Sequence, residues 1–199
     1  MVRIAKNKFT KNYESEEGGV YRRITASMGW PYLERPGFMV VMAEDAEPDF
    51  SLVGSPRHLR ILDEVESPDL ETLYRAAGRY KKECGVEALH CDCKDTLRGL
   101  WAQIPSANET PVKIRHAARW DNLDLRFVAQ VIHKRTKLQK TLHFGSKSRL
   151  PRYLDEISAL QLDELRLNHY PAVTALGVGL AEMELVRFSN GAGFRPRRR

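Results

Sequence analysis

Residues 38–43 read Phe-Met-Val-Val-Met-Ala, six apolar side chains in a row between Gly37 and the acids Glu44 and Asp45. A segment without polar positions has no face to turn toward water. Six residues are too few for a stable helix, so the run predicts a strand buried on both faces, as at the centre of an α/β sheet. The rest of the chain must then supply strands to flank it and helices to cover it.

Those pieces follow one another along the sequence. Residues 1–20 read as a polar arm, and Val20 to Ser27 predicts a short strand. Gly29, Pro31, Pro36 and Gly37 make residues 28–37 a loop, anchored by Trp30 and Tyr32. Phe50–Val53 and Leu59–Val65 predict two strands joined through the turn Gly54-Ser55-Pro56. Ser67-Pro68-Asp69 starts a helix, with Ser67 as its cap and Pro68 at the first helical position. Leu70, Leu73, Tyr74, Ala77 and Tyr80 give it an apolar stripe, and Gly85 closes it. Val86–Cys91 predicts another strand. Thr96–Ile104 suits a short helix or a loop, and residues 105–120 carry no readable period. Leu123–Leu142 predicts a basic helix, Thr141–Phe144 an extended piece, and Leu150–Leu160 and Pro171–Val186 two further helices. Gly177 and Gly179 lower the helical propensity of the last one while permitting close packing. The fold class expected is α/β, a mixed sheet flanked by helices.

The chain has 199 residues, enough for one core without disulfides or metal. No apolar run approaches the length of a membrane helix, and the basic start Met1–Lys11 lacks the apolar stretch of a secretory signal. Three cysteines, two of them at positions 91 and 93, argue against a disulfide framework and for a reducing, cytoplasmic setting.

The net charge of +6 conceals a strong asymmetry. Residues 36–111 carry −6 and residues 153–187 carry −4, whereas residues 112–152 carry +9 and the last twelve residues +4. A basic segment inside an acidic chain attracts a polyanion, and phosphates are the natural choice. Lys134, Arg135, Lys137, Lys140, Lys147 and Arg149 are the residues expected to hold a nucleic-acid backbone, DNA foremost. The tail of Arg195, Arg197, Arg198 and Arg199 is expected to be disordered and to touch phosphates or a protein partner.

Acids at strand ends are the candidates for chemistry. Asp45 follows the first core strand and Asp92 follows Val86–Cys91. On adjacent parallel strands they would meet at one sheet edge, where two close carboxylates need a hard cation such as Mg²⁺ or Mn²⁺. Cys84, His90, Cys91, Cys93 and His116 are zinc-ligand types, but no CxxC pair is present and His90 and Cys91 point to opposite faces of a strand, so buried thiols are the better reading. No G-x-S-x-G elbow, P-loop or G-x-G-x-x-G fingerprint occurs, which disfavours a serine hydrolase, an ATPase or a nicotinamide enzyme.

The order of these motifs from about Phe38 to Arg187 resembles the nuclease domain of phage large terminases, which has the RNase H-like fold. Phe38–Asp45 is similar to the family's first strand and its metal-binding aspartate. Asp69–Asp92 is similar to its helix, glycine, strand and second acid. Leu142–Ile157 is similar to the stretch before the last helices. His169-Tyr170-Pro171-Ala172-Val173-Thr174-Ala175-Leu176 is similar to the family's last motif. The resemblance implies a nuclease or resolvase that hydrolyses phosphodiesters with two Mg²⁺ or Mn²⁺ ions, with Asp45 and Asp92 as catalytic metal ligands. It departs from the family at its last motif, where His169, Tyr170 and Thr174 provide no carboxylate; Glu44, Asp163 or Glu182 would have to fill the place. The alternative is a catalytically degenerate module that binds nucleic acid or a partner within a phage or mobile-element assembly. Either way the expected division is an arm and loop at 1–37, an RNase H-like domain at 38–187 and a basic tail at 188–199.

Overall fold

The computed structural model describes residues 3–46, 58–92, 112–117, 125–158 and 170–189. Within them runs an open mixed sheet of eight strands. The strands are β1 (Ile4–Lys6), β2 (Tyr13–Ser15), β3 (Val20–Gly29), β4 (Gly37–Asp45), β5 (Leu59–Ser67), β6 (Ala88–Cys91), β7 (Lys113–His116) and β8 (Leu142–His143). The helices are α1 (Leu70–Cys84), α2 (Leu125–His133), α3 (Leu150–Ser158) and α4 (Pro171–Ser189). The segments 50–53 and 96–104 and the tail at 190–199 lie outside the described residues.

β4 is the strand the apolar run required. Phe38, Met39, Val40, Val41, Met42 and Ala43 are all buried, and they divide between the two cores that sandwich the sheet. Phe38, Val40 and Met42 face α4 together with Val128, Ile132 and Leu150. Met39, Val41 and Ala43 face α1 together with Leu73, Tyr74, Ala77 and Tyr80. Each of these larger side chains contributes about 1.5–3 kcal/mol by leaving water. No strand with a polar face could occupy that position.

β3 shares the centre with β4, to which it runs antiparallel from Tyr21↔Asp45 to Gly29↔Phe38. Its other edge is divided. β2 pairs antiparallel with its first residues, and β6 pairs parallel with Ala26–Met28. β7 continues parallel beyond β6, while β5 and then β8 continue beyond β4. The expected arm at 1–20 is therefore a hairpin, β1–β2, added to the sheet beside β3. A unit starting at residue 38 would leave out β3, whose Ala26, Ser27 and Met28 are among the most buried residues. The boundary expected at residue 37 does not divide the sheet.

The cap of α1 lies two residues later than expected. Asp69 accepts from the Glu71 and Thr72 backbone N–H groups at 3.2 and 2.9 Å, while the Ser67 hydroxyl accepts from Asp69 N–H at 3.1 Å. A carboxylate with two acceptor oxygens satisfies more of the open helix end than a hydroxyl does. Gly85 closes the helix at φ 66°, as its sequence position indicated.

The basic helix expected over 123–142 is α2 followed by a π-helical turn, Lys134–Leu138. The Thr136 hydroxyl donates to the Ile132 carbonyl at 2.8 Å, competing for an acceptor of the last α turn, and Gln139 N–H closes the wider turn on the Lys134 carbonyl at 2.8 Å. Lys140 then takes a left-handed φ of 50° and ends the helical path before β8.

α4 is apolar all round because it is covered all round: every residue from Pro171 to Ala181 is buried. It lies on β3 and β4, tied by the Ser27 hydroxyl donating to the Ala175 carbonyl at 2.7 Å. Among the described residues no helix is long and apolar enough to cross a membrane.

Candidate functional site

The sheet order decides the acids first. β6 is parallel to β3, and β3 is antiparallel to β4, so β4 and β6 run in opposite directions. Asp45 lies opposite Tyr21 at the start of β3, whereas Cys91, the residue before Asp92, lies opposite Met28 near its end. At about 3.3 Å per residue along β3, the two carboxylates sit more than ~20 Å apart, at opposite ends of the sheet. The expected convergence of Asp45 and Asp92 does not occur, because their strands are neither neighbours nor parallel.

Each acid has its own surroundings. Both Asp45 carboxylate oxygens accept from Arg60 Nε, at 2.9 and 3.1 Å. That bond raises the Arg60 pKa above its ordinary value, with the Asp45 charge adding to it and partial burial opposing. Beside the pair, His58 Nδ1 and His143 Nε2 share a hydrogen bond at 2.6 Å. Asp92 is half-buried, and its backbone carbonyl accepts from Trp30 Nε1 at 2.6 Å.

A shared-metal site at Asp92 would draw a second acid from a parallel neighbour of β6, and these are β3 and β7, the latter ending in Arg115 and His116. β3 ends there in Ser27, Met28 and Gly29. The start of α4 packs on the same end, since a Cβ on Gly29 would strike the Pro171 backbone, and its residues there are Tyr170, Pro171 and Thr174. Among the described residues these ends carry one carboxylate, Asp92, while Asp95 lies outside them. The described residues therefore do not by themselves fit a pair of Mg²⁺ or Mn²⁺ ions, and among them no three His, Cys, Asp or Glu side chains are grouped for any metal.

The substitute acids do not repair this. Glu44 is buried at the Asp45 end of the sheet, across from Arg23. Glu182 reaches His90 instead, at 3.5 Å from Nδ1, with both side chains largely buried. Burial pushes the His90 pKa down, Glu182 opposes, and Arg115 and Arg23 add to the depression. Asp163 lies outside the described residues. Of the zinc-type residues, Cys84 and Cys91 are buried on the α1 side, whereas His90 faces α4; Cys93 lies outside the described residues.

The basic residues divide into two kinds. Lys134, Lys137, Lys140 and Lys147 are exposed. Arg135 is not: it is 5% exposed and donates to the Thr141 hydroxyl at 3.4 Å, where the π turn carries it inward. Arg149 is exposed, but Glu66 holds its guanidinium at 2.6 Å, and that hydrogen bond raises its pKa. Both arginines thus have partners within the fold, unlike the exposed lysines, whose ammonium groups face solvent.

Arg149 stands at a cleft of about 390 Å³ between β5 and the segment before α3, lined by Phe38, Ile61, Glu64, Glu66, Lys147 and Arg149. A bulge builds it. Val41 pairs with Asp63 and Met42 with Ile61, leaving Leu62 as the extra residue. The bulge reverses the alternation of β5, so that Glu64 and Glu66 follow Val40 and Phe38 onto the α3 side. There Glu64 accepts from the Ser148 hydroxyl and from Arg149 N–H (2.8 Å), and Glu66 accepts from Tyr153 and Arg149. The sequence gives no sign of this cluster, because its partners are more than 80 residues apart.

Family models, curated proteins and solved structures yield no match to this chain.

Proposed function

We propose that this chain is a non-cleaving RNase H-like module that binds nucleic acid through its exposed lysines. The observation that carries this reading is the combination at the two ends of the sheet: Asp92 without a second acid beside it among the described residues, and Lys134, Lys137 and Lys140 exposed on and just after the π turn. The RNase H-like part is supported by a mixed sheet flanked by helices, with α1 leading through Gly85 to a strand that ends at Asp92. The binding part is supported by the +9 carried on residues 112–152.

Binding through phosphates releases counterions, so the affinity for DNA should fall steeply with salt. Replacing Lys134, Lys137 and Lys140 by glutamine should reduce the log–log salt slope by about 1 for each lysine that contacts a phosphate, with little dependence on sequence. Arg149→Gln should leave the slope unchanged, because Glu66 already neutralises that charge. Plasmid DNA should stay intact in Mg²⁺ or Mn²⁺. Cleavage abolished by Asp92→Asn would overturn the non-cleaving reading, and salt-independent or absent binding would overturn the nucleic-acid one.

A further inference from the structure

The β1–β2 hairpin ends in a loop of residues 7–12 that carries an aromatic ring at its tip. Phe9 is 94% exposed, the most exposed large apolar side chain among the described residues. The loop around it is closely tied. Asn7 N–H donates to the Asn12 carbonyl at 2.8 Å and Lys11 N–H to the Asn7 carbonyl at 3.0 Å. The Asn7 side-chain oxygen accepts from Phe9 and Thr10 N–H at 2.8 and 3.1 Å, and its amide nitrogen donates to Glu14 at 2.7 Å. Lys11 takes a left-handed φ of 63° to complete the turn. These bonds fix the path of the loop without using the Phe9 ring.

The charges carried on the loop itself, Lys8 and Lys11, have one sign, with Glu14 at its base held by Asn7. Arg3, Lys6, Lys8 and Lys11 precede the first acid of the chain, Glu14. Lys8 and Lys11 are exposed on either side of Phe9, and the Lys6 ammonium lies 5.1 Å from the centre of the Tyr13 ring. An apolar ring framed by cations matches a ligand that alternates apolar plates with anions. A nucleic-acid strand does so, one base and one phosphate per nucleotide. A paired base has its faces covered by its neighbours in the stack, so the ring requires an unpaired one. Anionic lipid also combines the two, but one ring gives a weak anchor, and stable anchoring takes a second apolar group.

We propose that Phe9 is a stacking platform for an unpaired base of single-stranded nucleic acid, with Lys8 and Lys11 on the flanking phosphates. This deepens the nucleic-acid reading and rests on it. The hairpin and the π turn occupy opposite edges of the sheet, so the two sets of residues can be tested separately.

The test compares the full chain with its Phe9→Ala and Phe9→Trp variants, using a short oligodeoxythymidine, a duplex and vesicles containing anionic lipid. Phe9→Ala should weaken binding of the single strand by about tenfold while leaving its salt slope and the duplex affinity unchanged. Phe9→Trp should bind the single strand like wild type, and its added emission should be quenched on binding, which an effect on folding alone would not produce. Unchanged single-strand affinity in Phe9→Ala, or unquenched emission in Phe9→Trp while the strand is bound, would overturn the stacking role and leave the lysine interface standing. Quenching by the vesicles and not by the oligonucleotide would overturn it in favour of lipid. Binding of neither single strand nor duplex by wild type would remove the underlying reading as well.

Discussion

Two glycines show how little space separates the sheet from its covering helix. A Cβ on Gly29 would meet the backbone of Pro171, and one on Gly179 would meet Met42 and the Ser27 hydroxyl. Pro171 cannot move without moving the start of α4, and Met42 is fully buried. Gly29→Ala should therefore destabilise by roughly 1–3 kcal/mol in urea unfolding. Gly145→Ala, where nothing lies within 4 Å, should change stability by less than about 0.5 kcal/mol. Equal effects at the two positions would refute the tight contact at Gly29. The sequence marked Gly179 as a packing glycine but read Gly29 only as a loop residue, since nothing local distinguishes a glycine that turns the chain from one that admits a distant backbone. Arginines show the same limit. Arg135 and Arg149 look like the lysines around them until burial and Glu66 are seen.

Elements were legible in proportion to how local their causes are. β4 followed from six apolar residues, α1 from its stripe and its glycine stop, and α4 from an apolar run too long for a strand. β7 was missed because four residues of alternating exposure, Lys113–His116, depend on pairing with β6 to be a strand at all. β8 is held by equally distant partners: Leu59 N–H donates to the Thr141 carbonyl at 2.7 Å, and the His58 and His143 rings share a hydrogen bond. Burial lowers the His143 pKa, with His58 and Arg60 adding to the effect and Asp45 opposing it. His90 is lowered as well. A histidine lowered on folding binds fewer protons in the native state than in the unfolded one. Its stabilisation is complete above the unfolded value of about 6.5 and is lost as pH falls through the folded value. Thermal unfolding should thus shift to lower temperature as pH drops from neutral to about 5. The double variant His90→Asn, His143→Gln should show a flatter profile over that range. An unaltered profile would mean that the two imidazoles are not the groups responsible.

At the scale of the whole molecule, the modest net charge is a sum of segments with opposite roles. The acidic stretch supplies β5 and α1, where Asp63 pairs with Arg79 and Glu66 with Arg149 across elements. The basic stretch supplies an exposed lysine group after α2. If that group is the interface, added salt should weaken nucleic-acid binding over a range in which the midpoint of urea unfolding hardly moves, because exposed charges are screened and the buried contacts of the sheet are not. Parallel loss of binding and stability would show instead that salt acts on the fold. By itself, the sequence determined what a local pattern can enforce: a doubly buried strand, helices to cover it, and a lysine-rich segment with no apolar reason to be buried. Only the tertiary structure decided the direction in which each strand runs. Period and polarity read the same along a strand in either direction, while the order β4-β3-β6 is set by which edges pair. That order separates Asp45 from Asp92, and it brings β3 and β7, neither with a carboxylate at its end, to the two sides of the strand that leads into Asp92.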